Sequence, residues 1–299
     1  MTRPTGLLHG RLGLAASRVP HADRHGLVWL EYGRLSVEDG ALRFIAAGSA
    51  TLEAGDYAIP YQTLSMVLLG PGTSVTHDVL RLAARHSLLL AAVGEGGVKS
   101  YTAPPMGQGR SATARAHATL WADPKLRLDA ARRLYALRFG RILPHRDIAT
   151  LRGIEGARMK ESYKLVAQRF GIEWAGRRYD RENPNSADLP NQSLNHAATL
   201  VEAAADIAVA AVGALPPLGF IHEDSSNAFT LDIADLWRVE LTLPLAFGAA
   251  KATMEGKVDN LEREIRKRAV KAFRQEKVIP KMIDRIKEVI GVDDGVGDA

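Results

Sequence analysis

The sequence of 299 residues contains no cysteine. Disulfide bonds, zinc fingers, iron–sulfur clusters and a cysteine nucleophile are therefore excluded. It also lacks a long apolar run: the longest uncharged apolar stretch, Ile207–Ile221, has 15 residues including two prolines, whereas a membrane-spanning helix needs about 20. Charges are scattered through the first 18 residues, without the apolar core of a secretory signal. We therefore expect no membrane partner and a cytoplasmic location in a bacterium or archaeon.

Several common catalytic motifs are also absent, namely GxxxxGK[ST], GxGxxG, GxSxG and HExxH. Nucleotide hydrolysis, dinucleotide binding, serine-esterase and zinc-peptidase chemistry therefore have no support in the sequence. The segment Gly70–Thr73 has the composition of a phosphate-binding loop but lacks its lysine. We predict a plain turn there.

The composition is that of a soluble globular protein, with 46% apolar and 24% charged residues. Basic residues outnumber acidic ones by 39 to 34, and the excess is concentrated between Lys257 and Lys287, which holds eleven basic and five acidic residues. Such a stretch on a helix is typical of a phosphate-contacting surface in a DNA- or RNA-binding protein. It is equally typical of a solvated helix face laced with ion pairs.

The region from about residue 26 to 104 is rich in strand-forming residues. Apolar residues alternate on both sides of Glu38-Asp39-Gly40, which predicts a β-hairpin. A second turn is predicted at Gly55-Asp56, and Thr76 is predicted to cap a short helix that ends at Arg85. With strands predicted at 27–32, 57–59, 65–69, 88–93 and 98–101, the region forms a small sheet with one inserted helix.

Beyond residue 110 the pattern is mainly helical. Asp123-Pro124 predicts a helix start, because aspartate caps helices and proline suits the first helical position. Asp259 followed by Glu262 predicts a capping box at the start of the basic helix, and the alanine-rich stretch 191–213 predicts a long helix. Apolar residues at helical spacing predict a further buried face, made of Met159, Tyr163, Val166 and Phe170.

These patterns predict an α+β protein with a small N-terminal β-sheet domain followed by a larger, all-helical C-terminal domain. The predicted β domain covers residues 1–103, and residues 104–110 form a linker rich in proline and glycine. Residues 111–290 form the predicted helical catalytic domain, and residues 291–299 a short acidic tail.

The most informative region begins where His222 follows an apolar run, ten residues before an Asp-x-x-Asp pattern. If Asp232 and Asp235 start a helix, their spacing puts both carboxylates on one face, within reach of one ion. Carboxylate oxygens with a neutral imidazole suit Mg²⁺ or Mn²⁺. Alternatively, Asp232 is only a helix cap, Asp235 a favourable first-turn charge and His222 a core histidine bonded to a backbone group.

Glu155 lies between two glycines at the predicted entry to a helix. Small neighbours would let a ligand or a DNA backbone approach this carboxylate closely. The alternative is an ordinary glutamate at a helix start that pairs with Arg158.

Five segments occur together in the order and spacing of one family. They are Leu151–Arg158, Gly176–Asp180, Asn191-Gln192, Pro217–His222 and Asp232–Asp235. Through them, and over most of the chain, the sequence resembles the CRISPR-associated integrase, subtype I-E, which is the metal-dependent enzyme that inserts new spacers into a CRISPR array.

The resemblance implies a site in which Glu155, His222 and Asp235 hold Mg²⁺ or Mn²⁺ and Asp232 supports them. It also implies that Tyr32 stacks where incoming DNA frays and that Lys99 faces DNA. Ser74 stands where relatives often carry a DNA-contacting arginine, which puts one phosphate contact in doubt. From the charge pattern we add three DNA-binding candidates in the basic helix, Arg266, Lys267 and Lys271.

The implied partners are double-stranded DNA (protospacer and CRISPR repeat), a second copy of the chain, and a second small CRISPR adaptation protein that bridges two dimers. Dimerisation through the β domain is also expected because apolar strand residues such as Leu30 would otherwise be exposed.

Three functions remain open from the residues themselves. The first is an integrase that joins DNA by attack of a 3′-hydroxyl on a repeat phosphodiester. The second is a structure-specific, metal-dependent nuclease that uses water at the same residues to cut branched DNA. The third is a DNA-binding scaffold without enzymatic activity.

Overall fold

The structure is a computed structural model that describes residues 26–49, 52–86, 88–102, 111–140, 147–178, 187–223 and 225–292. The predicted linker at 104–110 and most of the acidic tail lie outside these residues, as do residues 1–25. Within the described part, strands precede residue 103 and long helices follow residue 110. This is an α+β fold with a sheet region at the N-terminus and a mostly helical C-terminal part.

The strands form two four-stranded sheets, where the sequence predicted one. The first sheet has the order β1-β5-β7-β8 and the second the order β4-β3-β2-β6. The strands are β1 Leu27–Leu30, β2 Gly33–Glu38, β3 Ala41–Ala46, β4 Gly55–Ile59, β5 Met66–Leu69, β6 Thr73–Val75, β7 Leu89–Val93 and β8 Ser100–Thr102. Helix α1, His77–Arg85, follows β6.

The chain passes from the first sheet to the second at two adjacent places. One is Tyr32, between β1 and β2, and the other is the segment Gly70–Gly72, between β5 and β6. The Tyr32 N–H donates to the carbonyl of Pro71 at 2.9 Å, so the two crossings are bonded together. The Thr73 N–H donates to the Gly70 carbonyl at 3.3 Å, which confirms the plain turn predicted there.

Of the turns predicted at Asp39-Gly40 and Gly55-Asp56, only the one whose residues adopt turn conformations themselves is present. Asp39 and Gly40 both have positive φ angles, 50° and 75°, as a tight hairpin turn requires, and the predicted hairpin is confirmed. The turn predicted at Gly55-Asp56 is wrong. Both residues belong to β4, where Asp56 accepts a hydrogen bond from Arg43 Nε on the neighbouring strand at 3.0 Å.

Helix α1 begins after Thr76 as predicted, but the Thr76 hydroxyl does not cap it. That hydroxyl is buried and has no hydrogen-bond partner among the described residues. The first turn is closed instead by the Val79 N–H, which donates to the Thr76 carbonyl at 3.1 Å.

The helical part is built around one central helix, α5, which packs against α6, α7, α8 and α9. The helices are α2 Ser111–Ala122, α3 Pro124–Phe139, α4 Ile148–Arg169, α5 Leu189–Val212, α6 Ala228–Ala234, α7 Leu243–Met254, α8 Leu261–Glu276 and α9 Val278–Ile290. A 3₁₀ turn at Asp235–Trp237 and a π-helical turn at Arg238–Thr242 join α6 to α7. The many alanines of α5 let its neighbours approach closely.

The starts of α1, α3, α5 and α8 were predicted to within a residue or two, whereas α4 and α6 begin seven and four residues before the predicted entries at Glu155 and Asp232. Asp123 caps α3, because its carboxylate accepts from the Lys125 and Leu126 N–H groups at 2.8 and 2.9 Å. The capping box at Asp259 is wrong, since Asn260 is the cap and accepts from the Arg263 N–H at 2.8 Å. The predicted apolar face of α4 is confirmed by the burial of Met159, Tyr163 and Val166.

Two hydrophobic cores share the first sheet. One lies between the two sheets and contains Leu30, Leu35 and Phe44. The other lies between the first sheet and the helices and contains Leu27 and Met66. Because Leu30 is only 1% exposed, the exposed-strand reason for expecting a dimer is wrong. No helix of the described residues is long and apolar enough to cross a membrane.

Gly97 sits where the sheet region meets the helices and provides a test of that packing. It has φ +80°, and a Cβ added there would lie 2.7 Å from Ile279 Cδ1 of α9. We expect Gly97→Ala to lower the free energy of unfolding by about 1–3 kcal/mol more than Gly40→Ala does. Gly40 is the matched control, with φ +75° and nothing within 4 Å of an added Cβ.

Chemical denaturation of both variants measures the difference. Equal losses of stability would mean that only backbone strain matters at Gly97, and that α9 does not press on this turn.

Candidate functional site

Asp232 organises the loop that carries His222. It lies within α6, is 1% exposed, and its Oδ2 accepts from the Phe220 and Ile221 N–H groups at 2.7 and 3.1 Å. Its Oδ1 accepts from the His222 N–H at 3.0 Å and from His222 Nδ1 at 2.7 Å. The carboxylate therefore neither caps its own helix nor lies at a helix start, since Asn227 precedes the first residue of α6.

The orientation of the His222 ring follows from this contact. A carboxylate only accepts hydrogen bonds, so Nδ1 donates, and in the neutral ring Nε2 carries the lone pair. The His222 side chain is 38% exposed, so the prediction of a core histidine satisfied by a backbone group is wrong. The hydrogen bond to Asp232 raises the pKa of His222 against the opposing effect of burial, and the charges of Asp232, Asp235 and Glu155 add to the rise.

Glu155 lies in the interior of α4, not at a helix entry as predicted. Its Oε2 accepts from the Tyr135 hydroxyl at 3.0 Å, and its Oε1 contacts Arg138 Nη1 closely. Arg158, the alternative partner predicted from sequence, instead stacks over the Phe139 ring at 4.6 Å. Burial raises the pKa of the Tyr135 phenol, with the Glu155 charge and hydrogen bond acting in the same direction, so this group is a steady hydrogen-bond donor.

Asp235 is held between two arginines. Its Oδ1 accepts from Arg238 Nε at 2.7 Å, and its Oδ2 lies 3.4 Å from Arg138 Nη1. Burial alone would raise the pKa of Asp235, but the charges of Arg238, Arg138 and His222 outweigh it and lower the pKa. Asp235 is therefore ionised at neutral pH.

The sequence-predicted carboxylates are brought together as follows. Glu155 and Asp235 share one nitrogen of Arg138, and His222 is close enough for the charges of both carboxylates to act on its pKa. Asp232 is turned away from them toward the His222 loop. As the described residues stand, no three His, Cys, Asp or Glu side chains are placed to bind one metal ion.

His117 supports the same loop, and sequence reasoning missed it. Its Nε2 bonds the Leu218 carbonyl at 2.8 Å, and its Nδ1 accepts from the Leu215 N–H at 3.1 Å. Burial lowers the pKa of His117 to about 4, the bond to Leu218 opposing that shift. The neutral ring thus bridges two backbone groups that lie 98 and 101 residues away in sequence. No local sequence pattern predicts contacts between residues so far apart.

A second set of side chains holds the loop from its other side. Trp121 Nε1 donates to the Gly219 carbonyl at 3.1 Å, and the Arg127 guanidinium lies 5.5 Å from the Trp121 ring centre. Arg152, from α4, contacts the Ile221 carbonyl closely. The loop is therefore fixed by α2, α3, α4 and α6 together.

Four of the predicted DNA-binding residues lie close together, Lys99 just before β8 and Arg266, Lys267 and Lys271 on α8. Lys99 and Arg266 both approach Glu262, Lys99 at 3.9 Å, so the sheet region and α8 contribute to one surface. Lys267 and Lys271 are exposed on α8 one turn apart and form no ion pair with a described residue. The basic stretch is thus partly ion-paired and partly open.

Tyr32 stands apart from this group, at the crossing between the sheets. It is 45% exposed and has a φ of 55°, a left-handed conformation that is unfavourable for a tyrosine. Its ring packs over Gly72, where an added Cβ would lie 2.7 Å from Tyr32 Cδ1. Ser74 is exposed on β6 in register with Arg34.

Comparison with known proteins identifies the family. The family profile described as CRISPR associated protein Cas1 matches residues 136–273. The CRISPR-associated endonuclease Cas1 of Escherichia coli K12 is 35% identical over 278 residues, covering 93% of this chain and 88% of that protein. The corresponding endonuclease of Geobacter sulfurreducens is 35% identical over 273 residues, covering 91% of this chain and 86% of that protein. The chain belongs to the Cas1 family.

Solved structures agree on the fold. TtCas1 in a complex with DNA has a TM-score of 0.78 and 30% identity, covering 88% of this chain and 95% of that one. TtCas1 without DNA has a TM-score of 0.74 and 28% identity, covering 92% and 100%. A casposase bound to an integration product shares the fold. It is 15% identical with a TM-score of 0.63, and the match covers 91% of this chain and 99% of the casposase chain.

The depressed pKa of His117 predicts a pH-dependent stability. Below pH 6.5 the unfolded chain takes up a proton that native His117 does not accept until pH is about 4. The free energy of unfolding should therefore fall with decreasing pH in this window, by up to about 1.4 kcal/mol per pH unit. We expect His117→Gln to flatten this slope in denaturant unfolding measured from pH 7 to pH 4.

The exposed His77 provides the control, because His77→Gln changes a histidine that holds no loop. If His117→Gln keeps the wild-type slope between pH 6.5 and 4, the buried ring is not the group responsible.

Proposed function

We propose that this chain is a metal-dependent DNA integrase of subtype I-E that inserts new spacers into a CRISPR array. The observation that carries the proposal is the convergence of Glu155 and Asp235 on one nitrogen of Arg138, near enough to His222 for both charges to act on its pKa, while Asp232 takes only Nδ1 of that ring. Family membership supports an endonuclease or integrase activity.

The donor set fits a hard divalent cation. Two carboxylates and one imidazole match the preferences of Mg²⁺ and Mn²⁺, and the Arg138 nitrogen between the carboxylates marks a position where a positive charge is stabilised. Glu155, His222 and Asp235 would hold the ion. Once bound, it would supply charge stabilisation at the phosphoryl oxygens and lower the cost of an oxygen nucleophile.

The protein's own residues would orient these ligands. Asp232 bonds Nδ1 of His222 and so leaves Nε2 as the ring nitrogen available to an ion, and Tyr135 fixes one oxygen of Glu155. Arg238 does the same for Asp235. Such partners set the geometry of metal ligands and strengthen binding.

The attacking group would come from DNA. The chain has no cysteine, and an acidic cluster suits a metal better than a covalent protein–DNA intermediate. We therefore assign the attack to the 3′-hydroxyl of the incoming DNA. The attacking hydroxyl loses its proton to solvent as the new phosphodiester forms and the repeat phosphodiester breaks, and the leaving 3′-oxygen takes up a proton from solvent, so that no proton is gained or lost overall.

The DNA would lie across the surface formed by Lys99, Arg266, Lys267 and Lys271, with Tyr32 stacked on its frayed end. An exposed tyrosine held in a strained backbone conformation supports such a role, since strain of this kind clusters at functional sites. Arg34, in register with Ser74, offers a charge near the position where relatives carry arginine. TtCas1 has been solved with DNA.

The proposed assembly is a homodimer in the cytoplasm, with two dimers bridged by a second small CRISPR adaptation protein. We retain the division into a β domain, residues 1–103, and a helical catalytic domain, residues 111–290. One sheet packs on both the other sheet and the helices, so these units would move little relative to one another.

The competing function is a metal-dependent nuclease that cuts branched DNA with water at the same residues. The relatives are named endonucleases, which favours this alternative specifically. The two functions differ only in the nucleophile and therefore in the product.

Loss of a metal ligand should separate catalysis from DNA binding. We expect His222→Ala, Glu155→Gln and Asp235→Asn each to reduce strand joining by about 10²-fold or more while DNA affinity changes little, because none of the three is a phosphate contact. A gel assay of joined products with Mg²⁺ or Mn²⁺, and with EDTA, measures the activity.

DNA with a 3′-dideoxy end distinguishes the functions. It should bind but not join. Joining that survives the dideoxy end, or a trapped covalent protein–DNA adduct, contradicts direct attack by the DNA hydroxyl. Cut products without joined ones favour the nuclease, and DNA binding without any metal-dependent product favours a scaffold.

The unpaired lysines of α8 should contribute to DNA affinity through phosphate charge. We expect Lys267→Ala with Lys271→Ala to weaken binding to all sequences about equally and to lower the slope of log affinity against log salt by about 2. Fluorescence anisotropy over a salt series measures the slope.

Arg81→Ala with Arg85→Ala is the control for the loss of two positive charges, since it removes two exposed charges at the same spacing from α1, where Arg81 pairs with Asp78 at 3.3 Å. A double lysine variant with the wild-type slope would leave α8 an ordinary solvated helix. Arg266, which is already paired with Glu262, is expected to contribute less than either lysine.

A further inference from the structure

Arg138 makes an unusual contact for a buried arginine. It is the penultimate residue of α3, and its side chain is 5% exposed. A single nitrogen, Nη1, serves both Glu155 and Asp235. Nε and Nη2 are also buried but have no hydrogen-bond partner among the described residues.

This geometry is that of a point charge between two carboxylates. An arginine kept for structure alone usually binds a carboxylate with two parallel N–H bonds and satisfies its remaining donors. Leaving two buried guanidinium nitrogens unbonded is unfavourable, and such groups call for an explanation other than packing.

The oxygens around Arg138 are divided in a regular way. Glu155 has one oxygen bonded to Tyr135, and Asp235 has one oxygen bonded to Arg238. In each carboxylate the second oxygen is the one directed at Arg138. Removal of the guanidinium would therefore free one oxygen on each carboxylate while both carboxylates stay oriented.

We propose that Arg138 is a removable internal cation that holds Glu155 and Asp235 together in the metal-free protein and leaves when a divalent ion enters. The proposal rests on the metal site proposed above. It accounts for why no three ligands among the described residues are placed for one ion as they stand, since the guanidinium occupies the common point.

A neighbouring cleft could receive the displaced Arg138 side chain. Arg138 also lines a cleft of about 1070 Å³ between α3, α4 and α9. Glu161 and Glu240 line this cleft and could accept the guanidinium there, and the basic residues Arg158, Lys281 and Arg285 line it as well. Binding would then be a competition between two cations, and the apparent metal affinity would be reduced by the fraction of time that Arg138 occupies the site.

The test is Mn²⁺ titration followed by the electron paramagnetic resonance of free Mn²⁺, without DNA. If the vacated state of the wild type is populated at a few per cent, Arg138→Gln should bind Mn²⁺ about tenfold more tightly or better. Arg138→Lys, which keeps the charge, should remain closer to the wild type. Arg133→Gln is the matched control, because Arg133 is on the same helix but bonds the Val289 carbonyl.

Equal or weaker Mn²⁺ binding by Arg138→Gln overturns the proposal while the metal site stands. If neither the wild type nor Arg138→Gln binds Mn²⁺, the metal site is overturned and the proposal with it. The same conclusion follows if Glu155→Gln leaves Mn²⁺ binding unchanged.

A measurement on the wild type keeps the proposal testable if Arg138→Gln does not fold. The Arg138 Nε–H resonance in a ¹⁵N spectrum, assigned by its loss in Arg138→Lys, should shift when Mg²⁺ is added, since the guanidinium leaves its buried position. A resonance that does not move at saturating Mg²⁺ means that Arg138 stays in place.

Discussion

The site depends on one buried carboxylate. Asp232 accepts the backbone N–H groups of three consecutive residues, Phe220 to His222, and also orients the His222 ring. A buried charge is tolerated only when its hydrogen-bonding capacity is filled, so the loop has one conformation that satisfies it. The direction of Nε2, on which any role for His222 depends, is a consequence of that constraint.

Charge balance then fixes the other two acidic residues. Glu155 and Asp235 come from different helices, and bringing two carboxylates to one point is unfavourable unless a cation lies between them. Arg138 supplies that cation and Arg238 secures Asp235 from the other side. The positive charge from α3 thus balances the negative charges from α4 and from the turn after α6. His117 and Trp121 keep the His222 loop in place.

The sequence predicted features that a few neighbouring residues determine. The Asp39-Gly40 hairpin turn and the Asp123 cap are confirmed because their causes are local. It did not predict that Asp56 belongs to a strand, since the partner is Arg43 on the neighbouring strand. Nor did it predict the contacts of Glu155, because Tyr135 and Arg138 lie 20 and 17 residues away, on another helix. Contacts between residues so far apart produce no periodic pattern in the sequence from which they could be predicted.

The Asp232 and Asp235 motif was recognised correctly in the sequence, but the arrangement of its two carboxylates was not. An i, i+3 pair predicts two carboxylates on one helix face, directed at one ion. In the structure α6 ends at Ala234, and Asp235 begins a 3₁₀ turn. The two carboxylates have different partners: Asp232 is buried against the His222 loop, and Asp235 faces Arg138. The two acidic residues of one motif therefore have different roles: Asp232 positions His222 through both its backbone N–H and its ring Nδ1, and Asp235 contributes an oxygen to the common point with Glu155.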